Sequence, residues 1–214
     1  MKKIGTAIII AGGKSSRMGF DKQLIKIGDN YLMDIIIDNL NKTFEEIIVV
    51  SNVKSIYSNP NVILVEDEIK NIGPLGGLHV GLKNSTSMYN YVIACDMPYI
   101  NNEYVKYMMR ILMGGRSCFD GLVTCFREWI EPFNCFYSKN ILAYMEEYIN
   151  SGQRSIHSLV RGLNVIYIEE KVARCFSPKW KMFENLNTRE ELERYCIEFK
   201  GWENRYADLQ GHSS

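Results

Sequence analysis

The chain has 214 residues, 46% apolar and 23% charged, ordinary values for a globular protein long enough to bury a large core without disulfide or metal staples. Lys plus Arg and Asp plus Glu both number 25. The resulting zero net charge argues against nucleic acid or a membrane surface as the main partner, because those partners select a basic excess.

Thr6 to Ala11 is a continuous apolar, β-branched run that stops at Gly12-Gly13. It predicts a strand buried on both faces, as in a parallel sheet. A polar loop follows, Gly13 to Asp21. Tyr31 to Asn41 carries helical apolar spacing at Leu32, Ile35, Ile36 and Leu40. Glu46 to Ser51 and Val62 to Val65 predict two further buried strands. Gly73-Pro74 opens a predicted helix, Leu75 to Lys83, with Pro well placed near its start. Tyr91 to Cys95 predicts a fourth strand ending at Asp96, and Glu103 to Met113 is helical. This alternation predicts a three-layer α/β fold around a mostly parallel, Rossmann-like sheet.

The second half is less regular. Gly121 to Phe126 and Pro132 to Tyr137 predict strands close in sequence, hence an antiparallel addition to the sheet. Lys139 to Asn150 and Ser155 to Gly162 predict helices, and Val165 to Ile168 a strand. Thr188 with Glu191 has capping-box spacing before a last helix. Residues 1–200 read as one domain and 201–214 as a polar tail. The six cysteines, Cys95, Cys118, Cys125, Cys135, Cys175 and Cys196, form no C-x-x-C pair and no zinc-spaced cluster with histidine. There is no signal-peptide pattern and no apolar run of 18 residues, so the expected setting is the reduced cytoplasm.

The loop from Ile10 to Lys22 carries most of the chemistry. Open α/β sheets bind ligands at the carboxyl ends of their strands. Glycines at 12, 13 and 19 let the backbone approach a ligand and aim N–H groups at anionic oxygens. Lys14, Arg17 and Lys22 bring three cations to the same loop. A triphosphate calls for both features, donors to cradle its oxygens and cations to offset charge as pyrophosphate leaves. A P-loop is excluded, since its first glycine would fall at Ile8, and G-x-G-x-x-G does not fit. Asp96, at a strand end before Met97-Pro98, is a natural Mg²⁺ ligand, because Mg²⁺ takes one or two protein carboxylates and fills its shell with water and phosphate oxygens. A helix cap is the alternative role. Asn185 and Asn187 alternate around Leu186, which predicts a short strand with both amides on one side. Gly76 and Gly77 weaken a helix by roughly 1 kcal/mol each, so either a flat ligand or a closely packed strand should lie against them.

The loop resembles the L-A-G-G-x-S-x-R-M-G-x-D-K signature of the molybdenum cofactor guanylyltransferase family, with Ile10 for the leading Leu. Gly73-Pro74-Leu75-Gly76-Gly77 is similar to that family's G-P-L-A-G. Ala94-Cys95-Asp96-Met97-Pro98-Tyr99 resembles its C-D-x-P-[YF] segment. Asn185-Leu186-Asn187-Thr188 resembles N-[IV]-N-T-P, with Arg189 in place of Pro. The four motifs occur in the family's order across nearly the whole chain.

The resemblance implies a nucleotidyltransferase that moves GMP from Mg·GTP to molybdopterin or the molybdenum cofactor. It implies catalytic roles for Arg17, Lys22 and Asp96. It places the nucleotide against Ile10, Ala11, Gly12, Gly13, Lys22, Asn52 or its neighbour Ser51, Asp67, Gly73, Pro74, Leu75, Gly76 and Asp96. Mg²⁺ is expected on Asp96 and Asn187. Arg154, in a Gln-Arg-Ser stretch, and Trp129, beside Arg127 and Glu128 on a predicted hairpin loop, are expected toward the acceptor. A molybdoenzyme or its chaperone is the implied protein partner, with no nucleic acid and no membrane. Two rival readings stand beside this one. A cytidylyl- or sugar-nucleotidyltransferase shares the fold but resembles L-A-A-G in the loop, and a nucleotide-binding adaptor would bind without catalysing.

Overall fold

The computed structural model describes residues 2–11, 22–52, 62–66, 72–114 and 118–199. The first half runs β1 (Lys2–Ile10), a 3-10 turn (Lys22–Leu24), a two-stranded ribbon of β2 (Lys26–Ile27) and β3 (Asn30–Tyr31), α1 (Leu32–Leu40), β4 (Glu46–Val50), β5 (Val62–Val65), α2 (Pro74–Asn84), β6 (Ser87–Ala94) and α3 (Asn102–Gly114). The second half runs β7 (Gly121–Phe126), β8 (Trp129–Ser138), a 3-10 turn (Lys139–Ile141) into α4 (Leu142–Asn150), α5 (Ile156–Arg161), β9 (Val165–Glu169), α6 (Glu170–Phe176) and a 3-10 turn (Lys181–Phe183). A last helix, α7, covers residues 189–199.

Seven strands form one sheet in the order β5-β4-β1-β6-β8-β7-β9. β1 pairs in parallel with β4 and β6, β4 with β5, and β7 with β9. β8 alone runs against its neighbours, β6 and β7. The expected antiparallel addition is therefore one strand inserted into a sheet that is otherwise parallel.

The apolar run of β1 explains its central place. Ala7, Ile9 and Ala11 pack with Leu32 and Ile36 of α1 and Tyr104 and Met108 of α3. Ile8 and Ile10 pack on the other face with Leu75 and Leu78 of α2, Met145 of α4 and Leu159 of α5. A strand covered on both faces can be apolar at every position. α2 crosses β1 closely enough that a Cβ at Gly77 would stand 2.9 Å from Ile10 Cγ2. Helix-on-sheet packing thus accounts for this glycine.

Several elements differ from expectation. β1 begins at Lys2 and β6 at Ser87, earlier than their apolar runs suggest. β8 already starts at Trp129, so Trp129 sits on a strand and the turn is reduced to Arg127-Glu128. Residues 184–187 form no strand, which corrects the reading of Asn185-Leu186-Asn187. The ribbon β2–β3 and helix α6 were not anticipated. The capping box is present: Glu191 N–H donates to Thr188 Oγ1 at 3.2 Å, and Thr188 N–H to Glu191 Oε2 at 2.9 Å. No helix among the described residues is long and apolar enough to cross a membrane.

Candidate active site

Strand order reverses between β1 and β6, and in open α/β sheets ligands bind in the crevice outside such a switch point. Backbone bonds carry the ladder past the strand ends there. Ala11 N–H donates to Val50 O at 3.0 Å, Ser51 N–H to Val65 O at 2.9 Å and Cys95 N–H to Ile10 O at 3.1 Å. Ala11, Ser51 and Asp96 therefore emerge along one edge.

The amino end of α2 reaches the same edge after β5. Gly73 has φ 64° and ψ −147°, a backbone conformation open to glycine alone in practice. This turn lets Pro74 enter the helix with no N–H to satisfy. Its first turn supplies N–H groups and a positive dipole end, both suited to an anion. Gly76 N–H is partly spent on Gly73 O at 3.1 Å.

Asp96 is half-buried just past β6. Leu186 N–H donates to Asp96 O at 2.8 Å. That bond brings the extended segment 184–187 against Asp96 and sets exposed Asn187 one residue away. Asn187 N–H donates to Glu191 Oε2 at 2.7 Å, so Asn187 both leads into the α7 cap and borders Asp96. Asp96 and the Asn187 amide offer hard oxygen donors, the chemistry Mg²⁺ prefers. Among the described residues no three His, Cys, Asp or Glu side chains cluster as metal ligands. That donor set fits an ion that completes its shell with phosphate and water.

The 3-10 turn is fastened to β4, since Ser51 Oγ donates to Gln23 Oε1 at 2.5 Å in the interior. Lys22 opens this turn, and its side chain lies outside the described residues. Gly12, Gly13, Lys14, Arg17, Asp67 and the tail 201–214 also lie outside them. Ser51 is buried and Asn52 exposed, so of the two Asn52 is the accessible side chain at this edge.

Two expected acceptor residues are placed as follows. Arg154 is exposed between α4 and α5, with Nη1 donating to Ile149 O at 2.9 Å and Gln153 O at 2.6 Å. Trp129 is 57% exposed and packs against His157 with ring centroids 4.5 Å apart.

Sequence reasoning missed Glu131. Burial first, and Asp96 further, push its carboxyl up to about 7, while bonds from Phe133 N–H and the Trp129 indole oppose the rise. Its signal was available: Ile130-Glu131-Pro132-Phe133 is an acidic residue inside an apolar strand. Elsewhere, a cleft of about 660 Å³ between α1 and α7 is lined by Asp34, Asp38 and Glu198, with Lys42 as a cation. Its acidic lining suits a polyphosphate poorly.

Residues 7–166 match the MobA-like NTP transferase domain. The chain is 46% identical over 195 residues to the molybdenum cofactor guanylyltransferase of Syntrophotalea carbinolica, covering 90% of this chain and 91% of that protein. The chain belongs to the molybdenum cofactor guanylyltransferase family. A probable molybdenum cofactor guanylyltransferase of Peptoclostridium acidaminophilum is also 46% identical, over 91% of this chain and 89% of its own. The molybdopterin-guanine dinucleotide biosynthesis protein A of Archaeoglobus fulgidus shares the fold, with a TM-score of 0.75 at 22% identity over 92% of this chain and 98% of that one. As a member of the guanylyltransferase family the chain is a nucleotidyltransferase, and Asp96 occupies the family's C-D-x-P motif at the switch point.

Proposed function

We propose that this chain transfers GMP from GTP to the phosphate of molybdopterin or its molybdenum-loaded form and releases pyrophosphate. The observation that carries the reading is the meeting of Asp96, Asn187 and the amino end of α2 at the switch point of a guanylyltransferase-family sheet. An oxygen of the acceptor phosphate forms the new bond to the α-phosphorus of GTP, and the bond from that phosphorus to the bridging oxygen of pyrophosphate breaks. The acceptor oxygen is already ionised, so no strong general base is needed, and alignment with charge neutralisation carries the rate. Asp96 and Asn187 would hold Mg²⁺, which would supply a Lewis acid for the phosphate oxygens.

The backbone from Ile10 to Gly13 cradles phosphate, while Arg17 and Lys22 bind the triphosphate and the departing pyrophosphate. Asn52 and Asp67 recognise the nucleoside. Asp67 accepts from the guanine N1–H and N2–H₂ pair, which distinguishes guanine from adenine. Gly73, Pro74, Leu75 and Gly76 lie against the base. Arg154 and Trp129 border the acceptor. The setting is the cytoplasm, with a molybdoenzyme or its chaperone receiving the product.

Thermal melting with GTP, CTP, UTP and ATP, each with and without Mg²⁺, tests the reading. A ligand at about 100 times its Kd adds roughly 2.7 kcal/mol of stability. A Mg²⁺-dependent shift with GTP alone is expected. A shift with CTP or UTP instead would reassign the substrate, and a GTP shift without any pyrophosphate release when acceptor is added would point to an adaptor.

A further inference from the structure

The β7–β8 hairpin turns through Arg127-Glu128, with Phe126 paired to Trp129. β8 runs antiparallel to β6, so this turn stands at the same edge as Asp96, on the opposite side of β6 from β1, β4 and β5. Trp129 begins β8 and leaves 57% of its surface exposed. An exposed indole usually samples several rotamers, but two contacts hold this one. Its ring lies against His157 at 4.5 Å and 55°. Its side chain interacts with the Glu131 carboxyl, which the antiparallel β6–β8 register carries toward Asp96. The Ile130 backbone lies beside His157, whose buried Nε2 has no hydrogen-bond partner among the described residues. Arg161 Nη2 reaches Glu128 O at 3.5 Å and closes the turn from α5.

We infer that Trp129, His157 and Glu131 form a preformed stacking platform for the flat, fused nitrogen heterocycle of the acceptor, and that Glu131 ties this platform to the transfer site at Asp96. The inference rests on the reading above that the acceptor is a phosphorylated pterin. A flat ring stacks on a rigid aromatic face at little entropic cost. The second flat ring of the reaction, guanine, is accounted for on the other side of Asp96, by Asn52 and the start of α2. The two rings thus flank Asp96, and the phosphates meet over it. Glu131 is a positioning residue in this arrangement: it fixes the angle of the indole relative to Asp96.

The test uses the full chain and a pterin bearing one phosphate on its 6-methylene group, followed by the anisotropy of the pterin's own fluorescence. Stacking on an aromatic side chain is worth enough that Trp129→Ala should weaken binding roughly tenfold. Trp129→Phe should keep most of the affinity. Glu131→Leu should weaken binding by releasing the indole, whereas Glu131→Gln, whose amide oxygen still accepts from the indole N–H, should restore it. GTP-dependent thermal shifts should be unchanged in the two Trp129 variants. Because Trp129 is mostly exposed, these variants should also melt close to wild type without ligand. Wild-type pterin affinity in Trp129→Ala overturns the platform, as does an equal loss of GTP affinity, which would assign the ring to the nucleotide. Wild-type protein that binds GTP but not the pterin phosphate also overturns it. Absence of any GTP shift in wild type instead removes the guanylyltransferase reading on which the platform stands.

Discussion

Asn134 joins the central sheet to the segment that approaches Asp96, and replacing it should damage both. It is 1% exposed and has φ 53°. Tyr91 Oη donates to its Oδ1 at 2.7 Å, and its Nδ2 donates to Met182 O at 2.8 Å. Met182 lies in the 3-10 turn that leads into residues 184–187 and the Leu186 bond to Asp96. Asn134→Ala orphans a buried hydroxyl and a buried carbonyl, at about 1–3 kcal/mol each. Alanine also tolerates a left-handed backbone less well than asparagine, adding up to about 1 kcal/mol. The expected loss is about 3–5 kcal/mol, or a Tm lower by roughly 10 °C for a chain of this size. Tyr91→Phe removes one bond and leaves the Met182 bond intact, so it should cost only about 1–2 kcal/mol. In the double variant no hydroxyl is left stranded. The combined loss should therefore fall short of the sum by about 1 kcal/mol or more. Urea denaturation followed by circular dichroism reads all four proteins. Strict additivity, or an Asn134→Ala variant within about 0.5 kcal/mol of wild type, would refute the reasoning.

Other expectations concern the site and its supports. Asp96→Ala should fold and melt near wild type, since Asp96 is only half-buried, but lose the Mg²⁺-dependent part of the GTP shift; an unaltered Mg²⁺ dependence would remove its metal role. Gly77→Val places atoms within 2.9 Å of Ile10 Cγ2, and such overpacking typically costs about 1–3 kcal/mol. Because Ile10 O holds Cys95 N–H, GTP affinity should fall along with the melting temperature, and a variant as stable as wild type would contradict this packing. Burial and then Arg161 lower the His157 pKa below its ordinary 6.5, so the folded state binds fewer protons there than the unfolded state. That contribution is fully present above about pH 6.5 and is lost as pH falls through the lowered value. His157→Gln should therefore flatten the stability profile below pH 6.5, and an unchanged slope would assign it to other groups.

The sequence made strands legible wherever the apolar run was unbroken. Val62–Val65 and Gly121–Phe126 match their predicted bounds. β6 was under-read at its start because buried polar groups interrupt it: Thr6 Oγ1 donates to Ser87 Oγ at 2.8 Å inside the sheet. A hydrophobic pattern cannot register a polar pair satisfied across strands. The ribbon β2–β3 has two residues per strand, too few for any period to show. Asn185 to Asn187 alternate like a strand but pair with no strand among the described residues, and Leu186 N–H bonds Asp96 O instead. The position of Asp96 just past a strand end was legible because the apolar run of β6 stops there. Glu131 was not, because its nearness to Asp96 arises only when β8 folds back beside β6, a long-range antiparallel pairing no local pattern encodes. Trp129 was read on a hairpin loop toward the acceptor, while its contact with His157 needs β8 and α5 both in place.

Direct transfer tests the central claim. The full chain, Mg²⁺ and molybdopterin would be incubated with GTP labelled at the α-phosphate, and in parallel with labelled CTP. The account predicts that label from GTP enters a pterin dinucleotide with one pyrophosphate released per product, and that CTP gives little. Equal or preferred transfer from CTP, or release of pyrophosphate with no label on the pterin, would contradict it.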